Sequence, residues 1–138
     1  MGEIRVKVLL TNAMDAALHR QKKLAKKKIR TYLADALVDT GAVLSIIPPH
    51  VVVILGVGIR GTRVAESADG RKEEVGITEA IEFDVMGRNT LEGALVLGDE
   101  VLIGQTVLET PDLLADCRNR RLIPNPAHPD QPDRKSVV

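Results

Sequence analysis

The sequence predicts an all-β domain, a small barrel or sandwich with one or two short helices. Three observations predict it. Short β-branched and aliphatic runs recur at close spacing, separated by Gly, Pro, Asn or Asp. The first run, Glu3 to Leu10, alternates, with Ile4, Val6, Val8 and Leu10 on one face and Glu3, Arg5 and Lys7 on the other. Near the middle, Asp69-Gly70 separates two polar runs of similar length, the signature of a hairpin. At 138 residues the chain has the length of one domain.

In chain order, Thr11-Asn12 ends the first strand and offers a helix N-cap. Helix formers fill Ala13 to Leu24, with Met14, Ala17, Leu18 and Leu24 roughly on one side, so a short helix is expected there. Arg20 to Arg30 holds seven of the nineteen basic residues; a nucleic-acid or membrane patch is one reading, but a solvated loop or helix face is favoured, since no aromatics interleave. Ile29 to Val38 reads as a strand, with Ile29, Thr31 and Leu33 in alternation before the continuous Ala36-Leu37-Val38. Val43 to Ile47 is a further β run, stopped by Pro48-Pro49. Pro49 and Gly56 then bracket a helical turn or two over His50 to Leu55.

Thr62 to Ala68 and Arg71 to Ile77 form the arms of the hairpin, too polar to be buried on both faces and expected to project and move. Ile77, Ala80 or Ile81, Phe83 and Val85 suggest the next strand, turned at Gly87-Arg88-Asn89, with Leu91 to Leu97 returning antiparallel. After a turn at Gly98-Asp99-Glu100 comes the buried run Val101-Leu102-Ile103-Gly104, a brief helix over Gln105 to Glu109, and a last hairpin over Asp112 to Ile123. Four prolines between Pro124 and Pro132 mark residues 125–138 as a disordered tail, which leaves a domain over 1–124.

Composition narrows the function. With one Phe, one Tyr and no Trp, the chain has almost nothing on which to stack bases or sugars. The formal net charge is zero, so no global field recruits nucleic acid or an anionic membrane. One cysteine, Cys117, fits a reducing compartment, and we expect a cytoplasmic protein. The three histidines, His19, His50 and His128, lack metal-ligand spacing, so neither metal nor cofactor is expected.

One stretch stands out chemically. Ala36-Leu37-Val38 is an apolar run that ends in Asp39-Thr40-Gly41-Ala42. A carboxylate at the end of a buried run must be paired, hydrogen-bonded or neutralised. Gly41 lets the chain bend sharply and lets another backbone approach. That is how a catalytic acid is presented, although an Asp-Thr-Gly turn in which Asp caps its own backbone reads the same way.

Asp39-Thr40-Gly41-Ala42 followed by Ile46-Ile47-Pro48, with Leu102-Ile103-Gly104 further on, resembles the active-site segment and the apolar-Gly segment of retropepsin-like aspartic proteases. Within that family the chain looks like the small single-domain members found in bacteria, and the resemblance covers about residues 3 to 124. It implies a small closed acid-protease barrel that is half of a C2 homodimer. Asp39 would be the catalytic acid, Thr40, Gly41 and Ala42 would support its loop, and Leu102, Ile103 and Gly104 would pack behind it. Ala68, Asp69 and Gly70 would form the tip of a substrate-binding flap. The implied function is hydrolysis of extended polypeptide by a water activated between two Asp39 carboxylates, one per chain. The implied partners are a second copy and a peptide or protein substrate, with no nucleic acid and no membrane. A non-catalytic dimerisation or peptide-binding module on the same fold is the alternative. Three features depart from the viral enzymes: Val43 and Leu44 where another acid is common, a flap tip that is not glycine-rich and apolar, and the added segment Thr11 to Arg30.

Overall fold

The structure is a computed structural model that describes residues 3–67 and 69–127. Ala68, at the expected flap tip, and residues 128–138 of the expected tail lie outside the described residues.

β1 (Arg5–Asn12) and β2 (Thr31–Val38) form the central antiparallel pair. Between them lie α1 (Ala13–Arg20) and one 3₁₀ turn at Lys26–Lys28. β3 (Ile46–Ile47) leads into α2 (Pro49–Leu55), and the hairpin follows as β4 (Ile59–Glu66) and β5 (Lys72–Thr78). β6 (Ile81–Val85), β7 (Arg88–Glu92), β8 (Leu95–Val96) and β9 (Leu102–Ile103) complete the sheet. α3 (Gln105–Glu109) and a separate hairpin, β10 (Leu113–Asp116) with β11 (Arg121–Pro124), come last.

The nine-stranded sheet runs β4-β5-β8-β3-β9-β2-β1-β6-β7. β2 pairs with β9 in parallel, and β9 pairs with β3 antiparallel. Among the described residues the sheet is a curled half-barrel, not the closed barrel expected: β4 and β7 are its edges. Phe83, Leu10, Ile47, Leu55, Ile81 and Ile103 are fully buried in that core, the rest of which is mainly Val, Leu, Ile and Ala. No helix among the described residues is long and apolar enough to cross a membrane.

Local chemistry explains most elements. The Asn12 side chain accepts from the Asp15 amide at 3.0 Å, the expected N-cap. Pro49 opens α2, and Gly56 closes it in the left-handed region at φ 64°. Met86 and Gly87 are both left-handed (φ 54° and 78°), and Val85 pairs with Arg88, so this is a two-residue hairpin turn, one position earlier than expected.

Four other expectations change. The first helix ends at Arg20, not Leu24, because Lys22 turns left-handed at φ 62°. Its inner face is Asp15 and Ala16, while Met14 is exposed. β2 buries Ala34 and Ala36 and exposes Thr31 and Leu33, the opposite phase to the expected alternation. Ile77 stays in the hairpin arm, as β5, and the expected Leu91–Leu97 strand divides in two at Gly93. A Cβ there would lie 2.5 Å from the Thr78 carbonyl oxygen, so only glycine allows the close crossing.

Candidate active site

β2 delivers Asp39 to the middle of the sheet. The Leu37 amide donates to the Val101 carbonyl at 3.0 Å, and the Asp39 amide to the Ile103 carbonyl at 2.9 Å. The parallel β2–β9 ladder therefore extends to the carboxylate itself. The chain then turns tightly: the Ala42 amide donates to the Asp39 carbonyl at 3.1 Å, and the Gly41 amide to Asp39 Oδ1 at 3.0 Å. A Cβ on Gly41 would stand 3.3 Å from that oxygen, so glycine leaves the carboxylate its place. Asp39 and Thr40 are exposed, at the mouth of a cavity of about 290 Å³ that Leu37, Val38, Ala115 and Cys117 also line.

The far side of the loop is fixed by the start of α3. The Gln105 and Thr106 amides, which have no partner within their own helix, donate to the carbonyls of Ala42 (2.8 Å) and Val43 (3.2 Å). Gly104 lies so close behind that a Cβ would be 2.6 Å from the Leu44 oxygen and 3.0 Å from that of Ala42. Its amide donates to the buried Ser45 hydroxyl at 2.9 Å. The Thr106 hydroxyl donates to Glu92 at 2.7 Å and stands 3.1 Å from the Val43 carbonyl. Burial pushes the Glu92 carboxyl up, and the Thr106 hydrogen bond partly offsets this.

So the structure brings Asp39, Thr40, Gly41 and Ala42 together with Leu102, Ile103 and Gly104. It places Asp69 and Gly70 elsewhere, at the tip of the β4–β5 hairpin, with β8, β3 and β9 between β5 and β2. There the Asp69 carboxylate closes the tip. It accepts from the Ser67 hydroxyl, the Arg71 amide (3.0 Å) and the Arg71 guanidinium (3.1 Å). The Ser67 hydrogen bond, then the Arg71 amide, hold its carboxyl below the usual range. β4 is exposed along almost its whole length.

Sequence reasoning missed Ser45, Glu92 and Thr106. A hydroxyl inside the apolar run Leu44-Ser45-Ile46 was the available signal for the first. Nothing local marks Glu92 or Thr106, because the contact that joins them comes from the fold.

No family model and no curated protein matches the chain. Among solved structures, it is similar to the retroviral protease-like domain of Ddi1 from Leishmania major, at 19% identity and a TM-score of 0.57, over 91% of this chain and 90% of that one. The likeness extends over nearly the whole of both chains, and at that identity it speaks for architecture: the chain has a retropepsin-like fold.

Proposed function

We propose that the chain is an aspartic endopeptidase of the bacterial single-domain type that works as a homodimer in the cytoplasm. The observation that carries this reading is the seating of Asp39: an exposed carboxylate at the end of a half-buried strand, with its loop held by Ile103, Gln105 and Thr106.

A chain with one such loop supplies one such acid. Two copies related by a twofold axis would place two Asp39 carboxylates together. Like charges at contact distance share a proton, and the resulting pKa values belong to the pair. The ionised member takes a proton from water as that water attacks the peptide carbonyl. The protonated member polarises the carbonyl and then protonates the leaving amine. Thr40 would brace the two loops across the axis, Gly41 would admit substrate backbone, and the β4–β5 hairpin with its tip at Asp69 and Gly70 would close over an extended polypeptide. Neither nucleic acid nor membrane enters this scheme.

The test is cleavage profiling of a peptide library from acidic to neutral pH, wild type beside Asp39→Asn. The variant should fold and dimerise, and lose activity by at least about a thousandfold. Equal cleavage by both proteins would rule the mechanism out. Peptide binding without cleavage by either would make the chain a binding module on the same fold.

A further inference from the structure

The cations of the α1–β2 connection form a surface that the peptidase reading does not use. No acid occurs between Asp15 and Asp35, while seven bases do, so the remainder of this neutral chain carries seven more acids than bases. Arg30 is committed to Asp15. Arg20, Lys22, Lys23, Lys26, Lys27 and Lys28 are all exposed, and none has an ion-pair partner among the described residues.

These charges sit on a fixed frame. The Lys22 and Lys23 amides donate to the His19 and Leu18 carbonyls at 2.9 and 2.8 Å, and His19 Nδ1 lies 2.9 Å from the Leu24 carbonyl. The Lys28 and Ile29 amides close the 3₁₀ turn onto Ala25 and Lys26. Lys22 is held at φ 62°, a region that glycine or asparagine enters more easily. Asp15 and Arg30 tie the two ends of the segment together. The ordered backbone keeps these like charges close together, which costs free energy that a nearby opposite charge recovers.

Beside the array lies an open, mostly apolar cleft of about 460 Å³, lined by Met14, Ala17, Val57 and Ala80, with Arg30 and Glu79 as its charged groups. Ala17 is one helical turn from Arg20, so cleft and cations are continuous. Lysines beside a mostly apolar cleft, without aromatics, suit carboxylates and an aliphatic anchor better than stacked bases or a flat lipid surface.

We infer that the α1–β2 connection and its neighbouring cleft form a docking site for an acidic polypeptide segment bearing an apolar side chain. The site lies at the opposite end of β2 from Asp39, about 26 Å away at about 3.3 Å per residue. In a substrate seated at Asp39, the acidic segment would thus be at least about eight extended residues from the seated bond. That spacing rests on the peptidase reading, whereas docking does not.

The experiment uses the full chain carrying Asp39→Asn, so that docking is read without cleavage. Fluorescence anisotropy would follow a labelled peptide of repeating Glu-Glu-Leu, a single-stranded RNA of similar length, and phosphatidylcholine–phosphatidylserine vesicles. The peptide should bind, and binding should weaken with added salt. Replacing Lys22, Lys23, Lys26, Lys27 and Lys28 by Gln should weaken it about tenfold, the combined effect of several weak exposed ion pairs. Met14→Asp should also weaken it, with circular dichroism unchanged in both variants. Peptide affinity that ignores the lysine replacements, or binding to RNA or vesicles in place of the peptide, would overturn the inference.

Discussion

The Thr106 hydroxyl donates to the Glu92 carboxylate at 2.7 Å while standing 3.1 Å from the Val43 carbonyl. One hydroxyl proton thus faces two acceptors, and one of them belongs to the segment that follows Asp39. Ionised Glu92 takes the proton. Protonated Glu92 can donate to the Thr106 oxygen instead, which frees the Thr106 proton for Val43. The seat of the Asp39 loop is therefore coupled to the charge of a half-buried acid.

That coupling has a measurable sign. Burial raises the folded-state pKa of Glu92 above its usual value near 4.5, so ionised Glu92 opposes folding, and the penalty disappears as pH falls through the raised value. Glu92→Gln should be more stable than wild type at neutral pH, with the gap closing in acid. Urea denaturation at several pH values checks this, and a gap that widens in acid would contradict it. Thr106→Val leaves Glu92 without its donor and should cost about 1–2 kcal/mol.

Gly104→Ala should be among the most damaging single changes. The added methyl meets backbone oxygens of Leu44 and Ala42 that cannot swing away. We expect a loss of about 2–3 kcal/mol in chemical denaturation. Unchanged stability would mean that the loop and β9 are less closely apposed than described here.

Asp15 and Arg30 offer a test of asymmetry. Asp15 is buried and accepts from the Arg30 amide, Nε and Nη2, whereas the Arg30 side chain is half exposed. Arg30→Ala strands a buried carboxylate and should cost about 3 kcal/mol. The double variant with Asp15→Ala should cost less, about 1–2 kcal/mol. The side-chain bond to Arg30 depresses the Asp15 pKa below its usual value near 3.8, so its stabilisation is present above that value and is lost as pH falls through the folded one. A double variant worse than Arg30→Ala would reject this account.

A site shared between two chains makes activity depend on concentration. If Asp39 acts in such a pair, peptidase activity per chain should fall on dilution, in step with the dimer fraction measured by sedimentation. Constant specific activity in a monomeric sample would exclude a shared pair.

Several elements were legible because one local rule governs each. Pro49 and Gly56 bound α2, the polar arms around Asp69-Gly70 form β4 and β5, and Gln105–Glu109 is helical as expected. The loop from Asp39 to Ala42 and the backing run from Leu102 to Gly104 were legible as a pair only through their resemblance to a known pattern. The phase of β2 was not legible, because small Ala34 and Ala36 face the core while larger Leu33 faces out. Hydrophobicity ranks those residues the other way, and tertiary context overrides it. The inner face of α1 was hidden likewise, since its buried Asp15 is explained only by Arg30, fifteen residues later. Glu92 and Thr106 meet through pairings that no local pattern encodes.

The parallel pairing of β2 with β9 also sets a schedule. Asp39 leaves the ribosome long before Ile103, Gln105 and Thr106, the residues whose backbone groups hold its loop. During synthesis the acid is present but its seat is not, and closing so long a loop is slow relative to local structure. A growing chain therefore carries Asp39 before the backbone groups that hold its loop have been made.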